Sequence, residues 1–305
     1  MTIGTRQRFR LRFGMMAGQV ALLVSVPGLL CVASSSPISR EGGEDESAPK
    51  VEVPFKLYKD NLIIVKTTVG PIKNVNMILD TGTSPTAINK VMADRLNVRG
   101  TAGLLQTLNG TIQTQSVMLP PIQIGLLHAD SITGVVQDLT FMERSLGISL
   151  GGIAGLDILR SASFVIDYRR EKIIFGPVAA SEKAVHFETQ IPFLTVKAKI
   201  EGHEVRLLVD SGTWGLLVYR NRLRTSPEQL HADPNASIST AGGRTHVMWL
   251  SAEVSLGKGD LGARNVAIAD IDSDPQYDFD GLLGFAKMGF RRVSFDFENG
   301  LFGWE

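Results

Sequence analysis

Val75-Asn76-Met77-Ile78-Leu79-Asp80-Thr81-Gly82-Thr83-Ser84 is an apolar run that carries an aspartate, a hydroxyl and a glycine to its end. The same design returns as Val205-Arg206-Leu207-Leu208-Val209-Asp210-Ser211-Gly212-Thr213. A single Asp-Thr/Ser-Gly after a strand reads as an ordinary turn, because all three residue types favour turns for backbone reasons. Two copies in matching contexts call for another explanation. Each is followed by an apolar-Gly element, Gly152-Ile153-Ala154-Gly155-Leu156 in the first half and Gly281-Leu282-Leu283-Gly284-Phe285 in the second. Asp80 lies 75 residues before Gly155, and Asp210 lies 74 before Gly284. A further pair follows in the same order, Phe164–Tyr168 and Val293–Phe297. Landmarks repeated at one offset indicate an internal duplication whose copies each supply half of one site.

The rest of the chain suits that plan. At 305 residues it can form two lobes. Formal net charge is zero and basic residues do not cluster beyond the N-terminus, so no nucleic-acid partner is expected. Short β-branched-rich runs bounded by turn residues dominate from Val51 onward, among them Leu62–Val65, Phe164–Ile166, Leu194–Ile200 and Met248–Leu256. The predicted fold class is all-β, bilobal, with a cleft between the lobes. One short helix is expected over Asn89–Leu96, and single turns over Tyr219–Arg224 and Pro227–Leu230. The predicted divisions are a targeting segment at 1–36, a polar linker at 37–52, an N-terminal lobe at 53–180 and a C-terminal lobe at 181–305.

Arg6, Arg8, Arg10 and Arg12 precede an apolar stretch from Met15 to Val32, with small residues after it. This is the layout of a secretion signal, and export to the periplasm or outside the cell is expected. The stretch also approaches the length needed to span a bilayer, so an uncleaved anchor is the alternative, and membrane contact is expected only in that case. The single cysteine, Cys31, lies inside the segment, leaving none for a disulfide in the folded part.

Two carboxylates within hydrogen-bond reach cannot both ionise comfortably, so such a pair shares a proton. The ionised member can take a proton from a water while its partner protonates a substrate carbonyl, which hydrolyses an amide without metal or covalent intermediate. Asp80 and Asp210 are the candidate catalysts. Gly82 and Gly212 let the backbone turn and bring amides toward them, Thr81 and Ser211 can lock the two loops together, and Thr83 and Thr213 add a hydroxyl beside each. The five histidines show no metal-ligand spacing, so no metal or cofactor is expected. The acidic residues between Asp270 and Asp280 read as a solvated loop, and Asp167 and Asp296 as turn starters. Between each aspartate and its apolar-Gly element lies a turn-centred segment, with Asn109-Gly110 as a type I′ turn in the first and Gly242-Gly243 in the second. These read either as covers over a cleft or as surface hairpins.

On both Asp-Thr/Ser-Gly motifs and both apolar-Gly elements, the sequence resembles the aspartic proteases over about residues 53–305, in particular bacterial retropepsin-like and pepsin-like members with both half-sites on one chain. The resemblance implies catalysis by Asp80 and Asp210, a scaffold of Thr81, Gly82, Ser211 and Gly212, and support from Gly155 and Gly284. It also implies a peptide or protein substrate under one or two flaps, with no need of a second chain. Neither candidate flap carries the tyrosine of the pepsin flap, and Trp214 replaces a counterpart as small as Ser84; it is expected to pack rather than to shape a subsite. The alternative function is an inactive module that keeps the fold to bind a peptide or protein.

Overall fold

The computed structural model describes residues 20–21, 24–25, 50–108, 110–190, 192–222, 231–240, 243–271 and 278–305. Nearly all regular structure among them is β, as expected. The targeting segment other than Val20–Ala21 and Val24–Ser25, most of the linker, the turn at Pro227–Leu230, and Asn109 and Gly242 lie outside the described residues.

In the N-terminal lobe, Leu62–Val69 and Ile72–Leu79 form a hairpin that ends at Asp80. Ile72–Leu79 is buried toward its end because it is covered on its other edge by Gly152–Ala154, parallel to it with Ile78 opposite Ile153. Gly152–Ala154 runs antiparallel to Ala87–Asn89, which is parallel to Thr133–Gln137. A long hairpin, Gly100–Thr107 with Gly110–Met118, extends from that edge.

The C-terminal lobe repeats the wiring. Phe193–Ile200 pairs with His203–Val209, which is parallel to Gly281–Leu283 with Leu208 opposite Leu282. Gly281–Leu283 is antiparallel to Leu216–Tyr219, which is parallel to Gly259–Ala269. The second long hairpin is His231–Thr240 with Gly243–Leu256. The duplication read from spacing is thus a duplication of strand topology. Only the last three residues of each aspartate strand, Met77–Leu79 and Leu207–Val209, are continuously apolar, because there both faces are covered: Met77, Leu79, Leu207 and Val209 join one cluster, while Ile78 and Leu208 point into two others.

A six-stranded antiparallel sheet joins the lobes, in the order Val51–Tyr58, Lys172–Phe175, Phe164–Asp167, Arg292–Asp296, Leu301–Trp304, Ala184–Gln190. Its central pair comes from equivalent positions of the two copies, Phe164 facing Phe295 with rings stacked at 4.7 Å. Phe285, Phe302 and Trp304 extend this aromatic seam, so the lobes share one core. Asp167 and Asp296 start equivalent turns: each Oδ1 accepts two backbone N–H groups, from Arg169 and Arg170 and from Glu298 and Asn299.

Helices are short. Lys90–Arg95 falls where one was predicted, with Leu96 at its end. Thr140–Leu146 and Leu156–Leu159 were not foreseen. Neither has the length to display a clear 3.6-residue period, and each is held by its neighbours rather than by propensity. Tyr219 ends a strand, and the turn after it closes with Arg222 N–H donating to the Tyr219 carbonyl.

The first hairpin tip differs from the predicted type I′ placement. Gly110 already pairs with Thr107, so it opens the returning strand instead of sitting at the second turn position. Its φ of +118° suits that post only for glycine. Gly243 does the same opposite Thr240, with φ +123°.

Candidate active site

Asp80 and Asp210 meet where the two lobes touch, each fully buried and hydrogen-bonded to the other through their carboxyls. Each is placed by the end of its buried strand, where the main chain remains tied to the sheet. Asp80 N–H donates to the Ala154 carbonyl and Asp210 N–H to the Leu283 carbonyl, both at 3.0 Å. The apolar-Gly elements therefore fix the aspartates directly as well as the loops around them. Leu156 N–H donates to the Thr83 carbonyl at 2.8 Å, and Gly284 N–H to the Gly215 carbonyl at 3.0 Å.

The two loops hold each other by a reciprocal pair of hydroxyls. Thr81 Oγ1 donates to the Val209 carbonyl (2.9 Å) and accepts from Ser211 N–H (3.0 Å). Ser211 Oγ donates to the Leu79 carbonyl (3.2 Å) and accepts from Thr81 N–H (3.0 Å). All four groups are buried, so each hydroxyl uses its donor and its acceptor where water cannot replace them. These four bonds bind the lobes at the point where the carboxylates face.

Around the carboxylates, Gly82 N–H donates to Asp80 Oδ1 (2.8 Å) and Thr83 Oγ1 to Asp80 Oδ2 (2.9 Å). Gly212 N–H donates to Asp210 Oδ1 (2.7 Å) and Thr213 Oγ1 to Asp210 Oδ2 (2.5 Å). Lobe symmetry is broken by two further bonds. Thr213 N–H also reaches Asp210 Oδ1 at 3.1 Å, and Asn61 Nδ2 of the N-terminal lobe donates to the Gly212 carbonyl at 3.0 Å. Asn61 was missed in the sequence, where it reads as one more turn residue after Lys59-Asp60.

Burial drives both carboxyls above the ordinary carboxylate range, and the charge of Asp80 pushes Asp210 further. The donated N–H and O–H groups oppose this, so the pair keeps one shared proton over a range in which free carboxyls have lost theirs. Asp157, held by Thr86 N–H (2.9 Å) and Thr86 Oγ1 (2.7 Å), is likewise raised by burial. The sign for stability follows. A group with a raised folded pKa retains a proton that the unfolded chain releases near pH 4. Its contribution is complete below that pH and is lost as pH rises toward the folded value. The melting temperature is therefore expected to decline from mildly acidic toward neutral pH, with a shallower slope in Asp210→Asn; a scan from pH 3.5 to 7.5 checks both.

An aspartyl protease family model matches residues 65–158 and 196–286, one segment around each aspartate. The chain belongs to the aspartyl protease family. No curated protein matches it. Family membership accounts for why each matched segment contains an Asp-Thr/Ser-Gly loop and the apolar-Gly strand that supports it.

The remaining expected residues fall around this centre. Gly155 and Gly284 pass so close to the catalytic loops that a Cβ on either would lie 2.5 Å or 2.2 Å from the carbonyl oxygen of Thr83 or Thr213. Trp214 is half-buried, edge-on to Trp249 at 5.9 Å and covered by the Lys287 ammonium at 5.2 Å, so packing describes its contacts as expected. At the first hairpin tip, Leu108 is only 5% exposed and belongs to an apolar cluster of the opposite lobe with Phe193, Ile238 and Val247. The hairpins thus bridge the lobes rather than stand free on the surface.

Proposed function

We propose that the protein is an exported, single-chain aspartic endopeptidase, retropepsin-like in its flaps, with Asp80 and Asp210 as the catalytic pair. The observation that carries this reading is the dyad itself. Two hydrogen-bonded carboxyls, each raised by burial and each served by its own glycine amide and threonine hydroxyl, form the arrangement needed for one proton on two aspartates. The ionised carboxylate removes a proton from water, whose oxygen bonds to the substrate carbonyl carbon while the protonated carboxyl gives its proton to the carbonyl oxygen. Collapse of the tetrahedral species breaks the C–N bond, and the amine leaves with a proton from the pair. Thr81, Gly82, Thr83, Ser211, Gly212 and Thr213 act by position, with Gly155 and Gly284 behind them.

Strand pairing supports an extended peptide as substrate. Val24–Ser25 pairs antiparallel to the first hairpin at Thr107 and Gln106, and Val20–Ala21 pairs parallel to the second at Ser239 and Thr240. The two hairpin edges therefore accept a strand, and in opposite senses. That is the geometry required when one strand passes between two flaps related by a two-fold axis. Export rests on the N-terminal sequence. The test is digestion of a mixed peptide library by the chain from pH 3 to 8, with and without a pepstatin-type inhibitor. Inhibitor-sensitive internal cleavage supports the endopeptidase; intact library with folded protein overturns it in favour of a binding module.

A further inference from the structure

We infer that Trp214, Trp249 and Lys287 wall one subsite of the cleft, on the Asp210 side, and that it selects an acidic side chain N-terminal to the scissile bond. The inference rests on the endopeptidase reading and adds a substrate preference to it. Trp214 follows Asp210 by four residues, so its backbone belongs to the loop that carries the dyad. Trp249 belongs to Gly243–Leu256, the returning strand of the second hairpin, and shares a face with Val247 because side chains alternate along a strand. That face packs on the apolar cluster that also takes in Leu108 from the tip of the first hairpin. The two indoles meet edge to face at 5.9 Å and so join the catalytic loop to its cover at one end of the cleft. Both are half-buried, and the contact between them leaves indole surface open.

Among the described residues the N-terminal lobe has no such wall. Ser84 stands four residues after Asp80. The strand register puts Ser116 where the other lobe has Trp249: Ser116 pairs with Val135 beside Ala87, and Trp249 with Ala267 beside Leu217. Ile158 and Lys287 each lie three residues past the supporting glycine, and only Ile158 is buried. Lys287 is tied in place at both ends. Its N–H donates to the Trp214 carbonyl at 3.1 Å, and its ammonium stands 5.2 Å from the Trp214 ring centroid. Between them the stem lies along Gly215, where an added Cβ would be 3.4 Å from Lys287 Cβ. The residue is exposed and forms no ion pair among the described residues. A cation held on an aromatic face, with its N–H donors unused by a carboxylate, complements an anionic side chain and repels a basic one. Strand order gives the side. Val20–Ala21 lies on the second hairpin and Val24–Ser25 on the first, so a peptide threaded the same way has the residues before its scissile bond beneath the second hairpin, with Trp249.

The test takes a peptide that the wild-type chain cleaves and places Glu or Gln, in matched pairs, at each position on either side of the scissile bond. One position before the bond is expected to favour Glu over Gln by about fivefold in kcat/KM, the scale of a partly exposed ion pair. Lys287→Met should abolish that preference, and Lys287→Glu should replace it by a preference for Lys over Glu. A lysine with a merely structural role would lower both members of a pair alike. A Glu-to-Gln ratio unchanged in Lys287→Glu therefore overturns the inference, and so does a wild-type chain without preference at any position before the bond. A second measurement needs no turnover. Decapeptides copying residues 18–27, with Val20→Glu or Val20→Gln and Ala21→Glu or Ala21→Gln, are titrated onto the full chain and tryptophan emission is followed. Trp304 is 3% exposed in the joint sheet, so a change on binding reports on Trp214 and Trp249. Tighter binding of a Glu peptide than of its Gln match, lost in Lys287→Glu, supports the subsite; equal affinities in both pairs, or no binding, overturn it. If the wild type cleaves nothing, the protease reading fails, while this titration still decides whether the acidic side chain is selected.

Discussion

Asp80→Asn is expected to lower kcat by about 10³-fold or more, with folding and peptide affinity retained. Asparagine has the shape of aspartate, and its Oδ1 can still accept from Gly82 N–H. The Thr83 hydroxyl, which donates to Asp80 Oδ2, can turn to accept from the new amide. The loops remain locked by Thr81 and Ser211, whose four bonds do not involve the carboxylates. What disappears is the shared proton. Asp210→Asn should be as severe, and the double variant no worse than either single one, because one proton on two carboxyls is a joint property. Kinetics at the optimal pH, with circular dichroism and peptide-binding controls, check all three. Substantial turnover in either single variant would mean that the chemistry does not run through the pair.

That the pair could be named from the sequence follows from what evolution of a duplicated half-site leaves visible. Asp80-Thr81-Gly82 and Asp210-Ser211-Gly212 sit at strand ends that must be apolar because both faces are buried, Met77 and Leu79 in one cluster with Ile78 in another, and Leu207 and Val209 in one with Leu208 in another, and Gly155 and Gly284 must be glycine because Thr83 and Thr213 lie against them. Each demand is local and writes itself into residue type. Contacts between the halves do not. Asn61 bonds Gly212 across 151 residues of chain, and any short donor in a turn looks the same from the sequence. Leu108 reads as one more apolar residue of a hairpin that also carries Leu104, Leu105 and Ile112; its partners Phe193, Ile238 and Val247 come from the other lobe. The Phe164–Phe295 pairing that builds the joint sheet was equally hidden, although both strands were foreseen. Duplication revealed the halves, while their interface depended on surfaces that only meet after folding.

The role given to Gly82 and Gly212 needs a different physical basis from the one their sequence suggested. Neither requires the left-handed backbone region that usually explains a turn glycine. The constraint is space: a Cβ on Gly82 would lie 2.4 Å from Asp210 Cγ, and one on Gly212 would lie 2.5 Å from Asp80 Oδ2. Each glycine is kept bare by the aspartate of the opposite lobe. Gly212→Ala must therefore push Asp80 aside or open the lobe contact, and neither carboxyl can yield, since each is tied by its strand and its donors. Overpacking of this kind costs about 1–3 kcal/mol of stability. The kinetic loss should be larger in proportion, at least about 10²-fold in kcat, because displacement of a reacting group by about 1 Å is sufficient. Gly202→Ala is the control. Gly202 sits at the far end of the strand that delivers Asp210, at φ +76° with nothing within 4 Å of its absent Cβ. Alanine there is strained by about 1 kcal/mol or somewhat more, but it leaves the dyad where it was. Melting curves and kcat for both variants separate the two effects. Equal kcat in Gly212→Ala and wild type would show that the carboxylates do not need their present closeness, and the shared-proton mechanism would fall with it.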